Sequence, residues 1–261
     1  MQFIRQIFEG DDSQLRSFTI QFPDGQTAAA VNTPLSQSPE SVIAALGLTP
    51  PQPALVIMGG AGLMERTGLD DLRAAVEGGL VRFAQESGVA IVDGGTSAGV
   101  MKMIGESRSK GGCTFPLIGV VPRNVVTYPG FDNPDQQTTL DENHSHFVLT
   151  GGDAFGDEST MLAAVGWALS GEGQRRVLGV VINGGEIVKQ EAYARSAGHL
   201  HIPLLVLEGS GRYADELAAA HKAQAADEIT AETLLKGDLH FVALSVGSEN
   251  LYDWLNSFFR F

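Results

Sequence analysis

Ala54-Leu-Val-Ile-Met58-Gly59-Gly60-Ala61-Gly62 joins a short apolar run to a cluster of small, flexible residues. A run without polar alternation fits a strand buried on both faces, and glycine lets the chain leave it sharply or approach a ligand closely. The pattern recurs in Val89-Ala-Ile-Val92 before Gly94-Gly95-Thr96-Ser97-Ala98-Gly99, in His146-Phe-Val-Leu149 before Gly151-Gly152-Asp153, and in Ile202-Pro-Leu-Leu-Val-Leu207 before Gly209-Ser210-Gly211. A helix-like stretch follows each turn, and a helix N-terminus carries unpaired N–H groups and a positive dipole end. One such turn is an ordinary exit from a strand. Several on neighbouring parallel strands would face the carboxyl edge of one sheet and form an anion cradle for a nucleotide or another phosphate-bearing ligand.

The rest of the chain extends the same alternation. Phe18–Phe22 and Gln26–Val31 flank Pro23-Asp24-Gly25, which predicts a hairpin. Ser38-Pro39 opens a short helix through Leu46. Leu69–Ser87 reads as one amphipathic helix with Leu72, Val76, Leu80 and Phe83 on its apolar face. Further strands are expected at Pro116–Val121 and Arg176–Asn183. Helices are expected near Val100–Ser107, at Glu158–Leu169, Val188–Ala197 and Ala214–Ala226, and at Leu251–Phe259, while the polar Thr127–Glu142 segment reads as a loop long enough to act as a lid. The class is therefore α/β: a mostly parallel sheet with helices on both faces and an N-terminal hairpin extension. Residues 1–53 are expected to pack on a main domain formed by residues 54–261.

Composition narrows the partners. Seventeen basic and 31 acidic side chains give a net charge near −14, which repels nucleic acid and anionic membranes. A small anion remains compatible, because oriented amides and an arginine act within a few ångströms, whereas surface charge is screened over ~8–10 Å. No stretch of eighteen apolar residues and no signal-peptide pattern is present, so a cytoplasmic protein with no membrane partner is expected. Cys113, the only cysteine, excludes an intrachain disulfide. A homo-oligomer is permitted by the apolar C-terminal segment.

The densest chemical signal is Gly151-Gly152-Asp153-Ala154-Phe155-Gly156-Asp157-Glu158, where amides could face a phosphate and the carboxylates could accept ribose hydroxyls or act as a base. The alternative is an acidic helix start, favoured by the dipole. Arg212 follows Gly209-Ser210-Gly211 and would sit badly beside a positive helix end unless an anion is near. Thr96 and Ser97 offer hydroxyls for a ligand or for helix capping. His144-Ser-His146 and His199-Leu-His201 could each present two imidazoles on one face, but read better as metal-free histidines. Asp93 and Glu208, at strand ends, could hold a ribose hydroxyl or cap a helix. Neither a P-loop nor a nucleophile elbow is present.

Five segments in order resemble the SLOG superfamily, and more narrowly its LSDAT branch, related to the N-terminal region of TRPM cation channels: Val56–Ala61, Asp93–Val100, Gly119–Pro122, Gly151–Glu158 and Leu207–Asp215. The resemblance implies a Rossmann-like fold binding nucleotide-derived ligands such as ADP-ribose. The glycine turns and these segments together put the expected ligand contacts at Gly59, Gly60, Ala61, Gly94, Gly95, Thr96, Ser97, Pro122, Gly151, Gly152, Asp153, Glu158, Gly209, Ser210, Gly211 and Arg212. LOG-type phosphoribohydrolases of the superfamily carry Pro-Gly-Gly-x-Gly-Thr-x-x-Glu, which puts their glutamate at Glu158. Here Thr150, Ala154 and Phe155 depart from that motif, and Asn143-His-Ser-His replaces an Arg-Lys pair. Glu158 is accordingly expected to orient ligand or cap the helix, with catalysis as the alternative. No cofactor is named by these residues.

Overall fold

The β-strands are β1 (Arg16–Gln21), β2 (Thr27–Thr33), β3 (Ala54–Gly59), β4 (Ala90–Asp93), β5 (Leu117–Pro122), β6 (His146–Thr150), β7 (Val177–Ile182), β8 (Leu204–Glu208) and β9 (Leu239–Ala243), in a computed structural model that describes residues 14–60, 66–133, 136, 138–198, 200–223 and 226–260. They form one sheet in the order β1-β2-β6-β5-β4-β3-β7-β8-β9. Only the β1–β2 pair is antiparallel; β2 runs parallel to β6 and so joins the hairpin to the main sheet. The chain proceeds from β3 outward to β6 on one side, then returns to place β7 on the other side of β3. The reversal between β3 and β7 is a topological switch point, where the connections on either side diverge and leave a crevice beyond the carboxyl ends of the strands.

Alternate residues of the central strands enter opposite cores. Leu55 and Ile57 of β3 meet α2 (Arg66–Ala74), α3 (Arg82–Ser87), α4 (Gly99–Lys110) and α9 (Ser248–Phe259) on one face. On the other, Val56 packs with α1 (Pro39–Ala45) and α5 (Ser159–Leu169), and Met58 with α6 (Glu186–Ala197) and α7 (Arg212–Ala223). Burial on both faces is why β3 reads as an unbroken apolar run. The α1 start is as its sequence dictates, with Ser38 Oγ accepting from Ser41 N at 3.3 Å and proline in the first turn.

The expected single helix over Leu69–Ser87 is corrected in one respect. A π-helical segment, Ala75–Val81, separates α2 from α3. A side chain on Gly79 would stand 2.7 Å from Leu251 Cδ2, so the glycine is what lets α9 approach this segment. The structure also adds α8 (Glu228–Lys236), which the periodicity did not single out; Asp227 caps it by accepting from Thr230 N at 3.2 Å. Among the described residues, no helix is long and apolar enough to cross a membrane.

Candidate functional site

A cavity of about 470 Å³ opens at the switch point. This lies within the ~300–1,000 Å³ usual for small-molecule sites. Three helix starts converge on it: Ala98 at the start of α4, Glu158 at the start of α5 and Gly185 at the start of α6 all line the wall, and none makes a side-chain capping bond. Arg212, at the start of α7, lines it as well. Helix N-termini without side-chain caps can receive an anion, since their first N–H groups have no partner inside the helix.

Two glycines make room for Arg212. A Cβ on Gly185 would stand 2.4 Å from Arg212 Nη2, and a Cβ on Gly60 would stand 3.6 Å from Nη1. The guanidinium therefore lies against the backbones that follow β7 and β3. Arg212 holds a left-handed φ of 46°, unusual for a side chain this large and worth a strain of ~1–3 kcal/mol. Its backbone is held there by the next two residues: Tyr213 N donates to Gly184 O at 3.2 Å and Ala214 N to Asn183 O at 3.1 Å.

Three carboxyls line the same cavity: Glu158, Glu186 and Glu191. Burial raises Glu158 above the ordinary carboxylate range, against the opposing effect of hydrogen bonds that include Gly156 N donating to Oε2 at 2.7 Å. Burial pushes Glu191 of α6 up to about 7, and the charge of Glu158 adds to this. Ser159 Oγ donates to Glu191 Oε1 at 2.8 Å and Arg195 Nη2 to Ser159 O at 2.7 Å, which ties the start of α5 to the middle and last turn of α6. The cavity thus combines the Arg212 guanidinium and helix-start amides with acids, of which Glu191 is pushed up to about 7 and Glu158 is raised in the same direction.

Of the residues expected at the site, Gly59, Gly60, Gly94, Thr96, Glu158 and Arg212 line the cavity together. Ala61 and His199 lie outside the described residues. The other turns use their polar groups internally. Gly95 N donates to Asp93 Oδ1 at 2.8 Å, and Ser97 N to Thr139 O at 2.8 Å, which ties the Thr127–Glu142 loop down and sets its Thr138 in the cavity wall. In the Gly151–Asp157 loop, Asp157 Oδ2 accepts from Asp153 N at 2.9 Å and Ala154 N at 3.2 Å, so the loop's own carboxylate fills its amide nest. Gly151 lies beside Thr33, Arg123 and Asn124 at a separate small recess, and Pro122 pairs with Thr150 in the sheet. Gly152 packs on Asp157. In the Gly209–Gly211 turn, Gly209 N donates to Asp215 Oδ1 at 2.6 Å, Ser210 Oγ accepts from Asn183 N at 2.8 Å, and Gly211 faces Asn183.

The turn Asn183-Gly184-Gly185 and the cavity residues Ile187 and Glu191 were missed by sequence reasoning. The glycine pair after the β7 run was a usable signal; Glu191, mid-helix, carried none. Asp93 and His144 also take structural parts, described below, and the two carboxylates on His144 leave its nitrogens no lone pair for a metal. His146 Nδ1 lies 2.8 Å from Ser145 Oγ, and burial, with Arg108 nearby, lowers it to about 4.

A profile of the family described as SLOG in TRPM, prokaryote, matches residues 52–252, most of the chain. The chain belongs to this LSDAT family. This LSDAT protein is similar to transient receptor potential cation channel subfamily M member 1 of Mus musculus, 27% identical over 202 residues that cover 65% of the chain and 12% of the channel. With subfamily M member 2 of Mus musculus it shares 26% identity over 264 residues, covering 81% and 17%. With subfamily M member 6 of Homo sapiens it shares 29% over 199 residues, covering 65% and 10%. The LSDAT chain thus spans 10% to 17% of the length of these relatives.

Proposed function

We propose that this LSDAT protein is a cytoplasmic binding or sensor domain for a nucleotide-derived small molecule held at the switch-point cavity. The observation that carries the reading is the uncapped α6 start facing the Arg212 guanidinium across Gly185 and Gly60. A phosphate there would receive helix N–H groups and a bidentate arginine contact, both strongest toward a fixed anion. Ribose hydroxyls would meet Glu158 and Glu191, which accept hydrogen bonds when ionised and can also donate one when protonated.

The acid pair favours a second reading, N-glycosidic hydrolysis of a nucleoside phosphate. Two carboxyls with raised affinity for protons on one cavity wall are the tools for protonating a leaving base and stabilising an oxocarbenium-like ribose. One experiment separates the two readings. NMR spectra of AMP, ADP-ribose, NAD and a cytokinin ribotide are recorded with catalytic protein over hours. Broadened ligand lines without new peaks support binding alone, appearance of free base and ribose phosphate supports turnover, and unchanged spectra for all four ligands reject both readings for them.

A further inference from the structure

We infer that the amino edge of the sheet carries a second ligand site, a cavity that binds an oligophosphate anion through Arg175, Arg176 and Arg260. The cavity measures about 670 Å³ and opens between the turns that precede β3, β4 and β7 and the C-terminal end of α9. The switch-point cavity lies beyond the opposite ends of the same strands, and six residues of β3 at ~3.3 Å each put about 20 Å between the two. Neither site depends on what the other binds.

Charge singles this cavity out. The chain carries 31 acidic and 17 basic side chains, yet three guanidiniums line the cavity and, among the described residues, no aspartate or glutamate does. Gln52, Gln174 and Asn256 add carboxamides to the wall, whose N–H groups also donate to oxyanions. Arg176 is held over the Phe258 ring, with Cζ 4.9 Å from the ring centroid. Arg175 and Arg260 are exposed, and among the described residues their side chains make no hydrogen bond or ion pair.

Helix ends do not account for these arginines. α3, α5 and α9 finish at this edge, and each negative dipole end offsets about half a charge, which together is less than three guanidiniums supply. Carbonyls at these ends already have backbone donors. Val89 N donates to Ala84 O at 3.0 Å, Gln52 N to Leu169 O at 2.8 Å, Arg175 N to Ser170 O at 2.9 Å and Arg260 N to Asn256 O at 3.0 Å. Guanidiniums brought to one concave wall from two segments, before β7 and after α9, suit a chain of phosphates. Each phosphate takes a forked arginine contact, and a cleft lined by one sign of charge strengthens the common field. A single carboxylate would leave most of that charge uncompensated.

The test is calorimetric titration of tripolyphosphate at low ionic strength into Arg212→Ala, which lacks the guanidinium of the switch-point cavity, and into the same chain with Arg175→Gln and Arg260→Gln added. Arg212→Ala should bind the anion, and the added substitutions should weaken that binding at least about tenfold, as expected for lost charge-assisted contacts. No binding to Arg212→Ala, or an affinity unchanged by the added substitutions, overturns the site and leaves the reading of the switch-point cavity untouched. Should Arg212→Ala fail to fold, the wild type and Arg175→Gln/Arg260→Gln carry the comparison: the number of tripolyphosphate sites should fall by one, and an unchanged number overturns the site. ATP titrated into the same proteins separates the two sources of a phosphate chain. Both of its outcomes support the site, since tighter binding than tripolyphosphate assigns it to a nucleotide and binding no tighter assigns it to the phosphate chain alone.

Discussion

His144 Nε2 lies 2.8 Å from Asp93 Oδ1, with both side chains closed off from solvent. The other imidazole nitrogen, Nδ1, lies 2.9 Å from Asp141 Oδ2. A histidine between two buried carboxylates ties the end of β4 to the end of the Thr127–Glu142 loop, and Asp141 N donating to Gly95 O at 3.0 Å closes the same junction through the backbone. The cavity wall formed by Gly94, Thr96 and Thr138 rests on this tie.

The tie predicts a loss of stability in alkali. Burial by itself pulls His144 down, but the Asp93 charge and the hydrogen bonds to Asp141 and Asp93 outweigh it and raise the imidazole to about 9. Because the folded value lies above the unfolded one near 6.5, the stabilisation is fully present below about pH 6.5 and is lost as pH rises through about 9. Its full size is on the order of 3 kcal/mol. Urea melts between pH 6 and 10 should show this decline in the wild type; a His144→Gln variant with the same slope would disprove the assignment.

Glu191 should impose a gradient of the same sign at lower pH. Its folded value of about 7 lies above the unfolded carboxyl value, so the folded state holds the extra proton and stability falls as pH rises from about 4.5 to about 7. Glu191→Gln keeps an acceptor for Ser159 and should stabilise the protein by ~1–3 kcal/mol at pH 8. Thermal melts at pH 5 and pH 8 check this, the expected gain being confined to the higher pH.

Arg212 should show opposite effects on binding and on stability. Arg212→Ala and Arg212→Gly should both weaken a phosphate ligand by ~1.5–3 kcal/mol, as expected for a lost charge-assisted contact. Arg212→Gly should nevertheless be ~1 kcal/mol more stable than Arg212→Ala, because glycine adopts the φ of 46° without a Cβ clash. Calorimetry with AMP and chemical denaturation of the same two variants read both effects. Equal stabilities would show that the left-handed backbone at this position is not strained.

Ser210 should matter to the fold more than to the ligand. Its buried hydroxyl donates to Leu207 O at 2.6 Å and accepts from Asn183 N at 2.8 Å. Ser210→Ala removes the acceptor from a buried backbone N–H, which should cost ~1–3 kcal/mol of stability. A denaturation midpoint equal to that of the wild type would rule out this latch.

The sequence by itself determined the strands and their glycine exits, because burial on both faces leaves a direct mark in runs such as Ala54–Met58 and Val89–Val92, and a helix start leaves one in Ser38-Pro39. It also marked Arg212 and Glu158, whose types fit poorly or suggestively where they stand along the chain. The tertiary structure alone decided which turns stay open. The exits looked alike in sequence, yet Asp157 fills the amide nest after β6, Thr139 takes the Ser97 amide and Asp215 takes that of Gly209. The glycine turn after β7 lines the cavity, and only the sheet order sets β7 beside β3, bringing Gly185 and Gly60 to the same guanidinium. The physical reason is that hydrophobic periodicity is a local property, while the partner of a given N–H or carboxylate is chosen among groups that are distant in sequence and become neighbours only when the sheet forms.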